Sequence, residues 1–380
     1  MDTSRRSPLG LFDGSEAGTQ DFRAREGIAD ADRPAAIFEF SVIIPARNEQ
    51  EVLSDCLASL FAQDDSVTFA LDRDWELLIV DDESTDQTRA IANEAAAQHR
   101  GVTVLSPPQL DLKTFTGKNN ACWAAAQQAR GRWLLFTDAD TLHEPGDLVR
   151  ALHEATKHKV SLLSYSPRQI VVGVAQHTLM PLIFSELATV YPSAEVNDPE
   201  RRIAAANGQF LLIERGAYFA VGGHRAVAGS VLEDVELALK VKRSKRAIRF
   251  RYAPDALSTR MYSSFGEMVE GWTKNLALLF PHALMLAAWR LLDILLLLLP
   301  MLLFTLPYLV LWQRAAILIL WARTLFRFCN RVARSHFPFI DCALSVFGLP
   351  LFIVLLLRSW MKHKVLHHVS WKGREYRTRS

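Results

Sequence analysis

Four short apolar runs recur in the first 140 residues, and three of them stop at a polar or acidic cluster. They are Phe38 to Pro45 before Ala46-Arg47-Asn48-Glu49, Glu76 to Val80 before Asp81-Asp82, Val102 to Leu105, and Trp133 to Thr137 before Asp138-Ala139-Asp140. Runs rich in β-branched and aromatic residues, separated by Ala-rich or helically periodic segments, predict strands joined by crossover helices. Such units pair in parallel with right-handed connections and carry helices on both faces. The fold class is therefore α/β with a mostly parallel sheet. Ligands of these sheets bind beyond the carboxyl ends of the strands, so the clusters at 45–49, 81–86 and 138–140 are the candidate site. Asn48 is predicted to cap a helix carrying Val52, Cys56, Leu57 and Leu60.

Beyond Asn275 the composition changes abruptly. Leu291 to Trp312 is 22 residues with one charge, Asp293, and Ile340 to Leu357 is 18 residues with one charge, Asp341. About 20 apolar residues in a helix cross a hydrocarbon core of about 30 Å, so both are predicted spans. Residues 276–289 and 315–322 are apolar but shorter, and are read as short spans or interfacial helices. Residues 170–190 are apolar and are read as lying on the bilayer, against a core helix as the alternative.

Charge and cysteine content narrow the classes further. Lys and Arg number 43 against 41 Asp and Glu, a formal charge of +2, which gives no field for a nucleic-acid partner. Four cysteines without CxxC spacing fit a reducing compartment. Residues 1–36 have no apolar run fit for a signal peptide and are expected to be a disordered tail. Arg358 to Ser380 holds seven Lys/Arg and one Glu, which the positive-inside bias keeps cytoplasmic. Both ends on one side demand an even number of crossings. Arg323, Arg327, Arg331 and Arg334 should face the same side, which conflicts with a single span between them and the tail.

Several residues have the chemistry for a site. Asp138 and Asp140 put two hard carboxylates at one strand end, a pattern that selects Mg²⁺ or Mn²⁺ and leaves coordination positions for diphosphate oxygens. Asp81 and Asp82 follow a buried strand, where a carboxylate accepts from an imide N–H or caps a turn; Ser84 and Asp86 fit the capping role. Lys118 opens a helix and would bring a cation and N-terminal amides to phosphates. It is not in a Walker loop, because Leu112 replaces the first glycine and Asn119 replaces Ser/Thr. Glu233-Asp234 starts a helix, where acids suit the dipole or one of them serves as a general base. His143 is read as a surface histidine rather than a metal neighbour, and His224 as a loop residue.

Pro45-Ala46-Arg47-Asn48-Glu49, Asp81-Asp82, Gly117-Lys118, Asp138-Ala139-Asp140, Asn207-Gly208-Gln209-Phe210, Gly222-Gly223-His224 and Glu233-Asp234, in that order, resemble the family 2 glycosyltransferases with a Rossmann-like GT-A fold over residues 38–290. Thr259 to Tyr262 and Glu270 to Asn275, followed by apolar segments, resemble the membrane-attached branch acting on carotenoid or hopanoid-type lipids. The resemblance implies an inverting, metal-dependent transfer from a nucleotide sugar, expected to be a UDP-sugar, to a lipid acceptor. Pro45, Arg47, Glu49 and Asp82 would line the nucleotide pocket with Asp81 at the uracil, Asp138 at the ribose, Asp140 at the metal and Lys118 nearby. Asp234 would be the base. Asn207, Gly208, Gln209, Glu233, Arg260 and Trp272 would shape the sugar and acceptor pocket. The QxxRW motif of processive members is missing, since Gly271-Trp272 lacks the Gln and Arg, which favours one sugar per acceptor.

The expected organisation is a tail at 1–36, a GT-A domain at 37–275, membrane-associated helices at 276–357 and a basic cytoplasmic tail at 358–380. That arrangement would sit multi-pass in the inner (cytoplasmic) membrane with the catalytic domain in the cytoplasm. The residues leave two other classes open. One is a haloacid-dehalogenase-like phosphatase with Asp138 as nucleophile, disfavoured by Leu142 at the fifth motif position. The other is a non-catalytic membrane scaffold.

Overall fold

The computed structural model describes residues 37–64, 68–111, 114–371 and 374–377. The expected tail at 1–36 lies outside the described residues. Two compact units result: one takes the chain up to Gln169 together with Ser193–Thr259, the other Ile170–Pro192 and everything from Arg260.

In the first unit the order is β1 Phe38–Ala46, α1 Leu53–Phe61, β2 Trp75–Asp81, α2 Thr88–Gln98, β3 Val102–Leu105, α3 Gly117–Gln128, β4 Gly131–Phe136, β5 Thr141–His143, α4 Asp147–His158, β6 Leu162–Ser166 and β7 Arg168–Gln169. After the excursion of α5 (Gly173–Val190) into the second unit come α6 Ser193–Asn197, β8 Leu211–Glu214, α7 Arg215–Ala220, α8 Glu233–Arg243, β9 Ile248–Tyr252 and β10 Leu257–Thr259. Seven strands form one sheet in the order β3-β2-β1-β4-β8-β6-β9, and β5-β10-β7 form a small second sheet. The pairs β1–β2, β1–β4, β2–β3 and β6–β9 are parallel, while β8 runs antiparallel to both neighbours. The mostly parallel sheet expected from the alternation is present.

β2 is buried along its whole length, which is why it reads as an uninterrupted apolar run. Glu76, the charged residue inside this run, is satisfied by Ser41 Oγ at 2.6 Å and by the backbone and side chain of Arg130, as a buried carboxylate requires. One local expectation fails. Asn48 does not cap α1, which begins only at Leu53 after an uncapped Val52. Asn48 sits at φ 53°, and its Oδ1 accepts from the Thr85 N–H at 2.9 Å. It staples the end of β1 to the end of β2, a use that its tolerance of the left-handed region allows.

The second unit is helical: α5, α9 Phe265–Leu279, α10 Ala283–Phe304, α11 Leu311–Val332, α12 Phe339–Leu344 and α13 Leu349–Lys364, then the hairpin β11 His368–Trp371 and β12 Arg374–Arg377. Leu179, Met180, Leu182 and Ile183 of α5 are buried in this unit's core with Phe352, Leu355 and Leu356 of α13, so within 170–190 the helix Gly173–Val190 packs into a core, while Ile170, Val172 and Val174 stay exposed. Ala283–Phe304 and Phe339–Lys364 are long and apolar enough to cross a membrane by length and composition. The predicted span 291–312 is interrupted. Helix α10 stops at Phe304 and the chain turns before Leu311, because Pro307 disfavours a helical Leu306.

Candidate active site

The carboxyl ends of β1, β2 and β4 lie side by side in the first unit, and the starts of α3 and α8 complete the site with the turn 207–210. Lys118 occupies the first turn of α3, whose N-cap Thr116 accepts from the Asn119 N–H. Its ammonium stands 2.7 Å from Asp138 Oδ1 and 3.0 Å from Glu233 Oε1. Burial opposes the charge, but the Asp138 and Glu233 carboxylates outweigh it and hold the ammonium well above its usual range. Gly208 borders this cation so closely that a Cβ there would lie 2.7 Å from Nζ.

Asp234 is the other focus. Its Oδ2 accepts from the Gly208 N–H at 2.9 Å and its Oδ1 from the Val235 N–H at 2.8 Å. Burial and then the adjacent Glu233 carboxylate push it up to about 7, against the opposing pull of Lys118 and these two N–H groups. A carboxylate tuned near neutrality and held at a helix start has the properties of a general base. The turn that supplies Gly208 is built by Asn207, whose Oδ1 accepts from the Gln209 N–H at 2.9 Å. Gln209 is buried, and its Nε2 donates to Thr259 Oγ1, which in turn donates to the Asp140 carbonyl. Gln209 therefore fixes the acidic loop rather than presenting its amide to solvent.

At the strand ends, Arg47 donates to the Asp82 carbonyl at 2.7 Å and the Glu83 carbonyl at 3.2 Å, clamping the turn after β2. Glu49 donates its N–H to Thr88 Oγ1, and Pro45 pairs with Val80 in the β1–β2 ladder. Asp81 is 4% exposed. Its Oδ2 pairs with Arg89 at 3.2 Å, while its Oδ1 is buried and takes no hydrogen bond from the described residues. An acceptor left open at that point suits an imide N–H. Asp86 accepts from the Thr88 N–H at the start of α2, as expected, whereas Ser84 accepts from the Asn48 N–H after β1 and does not cap the helix. The buried Cys56 thiol is pushed up by burial and then by Asp140, Asp138 and Glu49, so these three acids share one neighbourhood. Among the described residues no group of three His, Cys, Asp or Glu could hold a metal alone. The donor set fits Mg²⁺ or Mn²⁺ as a two-carboxylate contact of Asp138 and Asp140, with other oxygens supplied from outside the protein.

Three histidine and aromatic expectations are corrected. His143 is buried, with Nδ1 2.7 Å from Asp147 and Nε2 3.1 Å from Thr137 Oγ1, so it is neither on the surface nor at a metal. His224 is buried against Phe136, with Nδ1 2.8 Å from the Tyr218 hydroxyl. Burial and then Lys118 push it down to about 3, which makes it a neutral core ring and not a loop residue. Trp272 is 3% exposed and packs on Tyr262 and Phe184 in the second unit, which leaves no open face for a sugar. Arg260 is exposed and also belongs to the second unit; the cluster in the first unit is assembled without either residue.

Asn119 is a positioning residue that motif reading passed over. It is fully buried, and its Nδ2 lies 2.9, 2.9 and 3.1 Å from the carbonyls of Val227, Ala228 and Ser230. It thus ties α3, which carries Lys118, to the loop leading into Glu233 and Asp234. The only signal in the sequence was its place beside Lys118.

Residues 41–218 match the family described as Glycosyl transferase family 2. Over these residues the chain is similar to the family 2 glycosyltransferases. The match sets aside the haloacid-dehalogenase reading of Asp138. The chain is also similar to the 4,4'-diaponeurosporenoate glycosyltransferases of Staphylococcus haemolyticus (strain JCSC1435), 29% identical over 254 residues, and of Staphylococcus aureus (strain MRSA252), 26% identical over 241. The alignments cover 65% and 62% of this chain, which spans 64% and 60% of the length of those relatives. A mannosyltransferase from Pyrobaculum calidifontis, solved in complex with GDP-Man and Mn²⁺, superposes over 87% of this chain and 90% of its own with a TM-score of 0.52 and 17% identity. It shares the GT-A fold.

Proposed function

We propose that the chain transfers a single sugar from a nucleoside-diphosphate sugar, with a UDP-sugar as donor, to the hydroxyl of a lipid at the cytoplasmic membrane face, with inversion at the anomeric carbon. The observation that carries this reading is the placement of Asp234, raised towards neutrality, beside Gly208 and the Lys118–Asp138 pair. Asp234 takes the proton of the acceptor hydroxyl as its oxygen bonds to the anomeric carbon, and the bond from that carbon to the diphosphate breaks on the opposite face. Lys118 supplies positive charge where the leaving diphosphate gains negative charge. A divalent cation held by Asp138 and Asp140 would add Lewis-acid stabilisation of the same leaving group. Asp81 would accept from the base through its open Oδ1, and Arg47 keeps the strand-end turn that shapes the pocket.

The lipid acceptor is supported by the carotenoid-derived names of the relatives and by the apolar helices of the second unit. The test is incubation of the full chain in lipid with Mn²⁺ or Mg²⁺ and a panel of UDP-sugars, read by lipid mass spectrometry. A mass gain of one hexose, N-acetylhexosamine or uronic acid supports the reading. Absence of both UDP binding and transfer, under either metal, sinks it.

A further inference from the structure

We propose that the α10–α11 hairpin is a monotopic anchor that dips into one phospholipid leaflet and returns, so that the membrane is not crossed there. Helix α10 alone would suggest otherwise: its 22 residues extend about 33 Å at about 1.5 Å per residue, enough for a core of about 30 Å. Its partner decides the matter. Helix α11 runs back along it, held by Arg331 Nη2 to Asp293 Oδ2 at 2.8 Å, Trp321 Nε1 to the Leu297 carbonyl at 3.0 Å, and Arg314 Nη2 to the Leu306 carbonyl at 3.2 Å. Whatever depth α10 reaches, α11 must reach too.

The longest uncharged stretch of helix α11 is the eight residues 315–322, about 12 Å of helix. Arg323 and Arg327 follow, and both are exposed. A full crossing would place them on the lipid-facing side within the hydrocarbon, where a charged side chain is costly. A single leaflet, about half of the ~30 Å core, accommodates the apolar stretch and leaves both guanidinium groups at the headgroups. There, with the exposed Arg334, they would meet anionic lipid headgroups, which attract basic side chains at the surface.

The tip and root of the hairpin fit this depth. Tyr308, Leu311 and Trp312 are 74%, 85% and 69% exposed, an apolar tip with nothing in its own unit covering it. Arg314, the one charge near the tip, is turned onto the Leu306 carbonyl and over the Phe304 ring. At the root, Arg290 pairs with Glu186 at 2.9 Å and Asp293 at 3.2 Å, which with Arg331 makes a balanced cluster of two acids and two cations. The second apolar run is likewise built into its unit: His177 lies 2.8 Å from Asp341, Ser359 accepts from the Ala277 N–H, and Arg358 is exposed. The Arg323–Arg334 segment and the basic chain after Arg358 can then share one membrane face, which removes the conflict in crossing number. This inference rests on the second unit alone and stands apart from the transfer reaction.

The test is thiol labelling of the full chain in sealed membrane vesicles of both orientations with a membrane-impermeant maleimide, using Tyr308→Cys at the tip and Arg334→Cys at the root against the parent chain. Expected is labelling of Arg334→Cys from one face only, and of Tyr308→Cys from neither face until detergent is added. Labelling of Tyr308→Cys from the face opposite to Arg334→Cys would show a crossing, and its labelling from the same face would show a tip left in water; either overturns the proposal. Leu311→Cys gives the same readings if Tyr308→Cys does not accumulate.

Discussion

The backbone N–H of Gly208 donates a 2.9 Å hydrogen bond to the carboxylate of Asp234. A side chain at 208 would meet the Lys118 ammonium 2.7 Å from its Cβ, so the proposed base and the cation beside it both lean on one glycine. Gly208→Ala should displace the flexible end of Lys118 while leaving the sheet intact, and misplacement on the order of 1 Å can cost about 10²-fold in rate. Transfer assays paired with thermal melts check this: the expected result is a large loss of kcat with little change in melting temperature.

Lys118 neutralises two carboxylates at once. Lys118→Met leaves Asp138 and Glu233 facing each other without a cation and removes the charge offered to the leaving group. Turnover should fall about 10²–10³-fold, the scale seen when one preorganised electrostatic group is lost.

The raised Asp234 sets the pH dependence. The base is needed ionised, so kcat should rise with pH through about 7 and level off above it. The stability effect has the opposite sense. An acid raised above its unfolded value binds its proton more tightly in the folded state, so its contribution is favourable at low pH and is lost as pH rises towards 7. Asp234→Asn removes that dependence. Melting curves of the variant minus wild type should therefore be more positive at pH 8 than at pH 5, whatever the constant offset from the amide.

Asn119 tests the frame behind the site. Asn119→Ala removes the donor shared by the carbonyls of Val227, Ala228 and Ser230; the first two keep the N–H groups of Ser230 and Thr116, so the loss is about that of a single hydrogen bond, about 0.5–1.5 kcal/mol. Urea denaturation should show a loss in that range, accompanied by reduced turnover because the loop into Glu233 and Asp234 is no longer tied to α3.

The central strands were legible because burial on both faces leaves a sequence no choice but apolar runs, and the strand-end acids stand out against them: Asp81, Asp138 and Asp140 lie where the alternation placed them. What escaped depended on which partners the fold brings into contact. Asn48 has the composition of a cap, yet Ser84 and Thr85 take its hydrogen bonds. His143 and His224 are made internal by partners only four to six residues away, Asp147, Thr137 and Tyr218, which look like ordinary polar neighbours until the fold buries the pairs. Trp272 sits next to the apolar segments in sequence but is enclosed by Tyr262 and Phe184. The hydropathy of 291–312 concealed a turn because a proline in an apolar run changes the backbone without lowering the apolar count.

The most direct test of the account follows one turnover of UDP-sugar and extracted membrane lipid by lipid mass spectrometry, with wild type and Asp234→Asn side by side and UDP binding measured on both. The account predicts a lipid heavier by one sugar with wild type, near-complete loss of that product with Asp234→Asn, and unchanged UDP binding. Normal product formation by Asp234→Asn would contradict it.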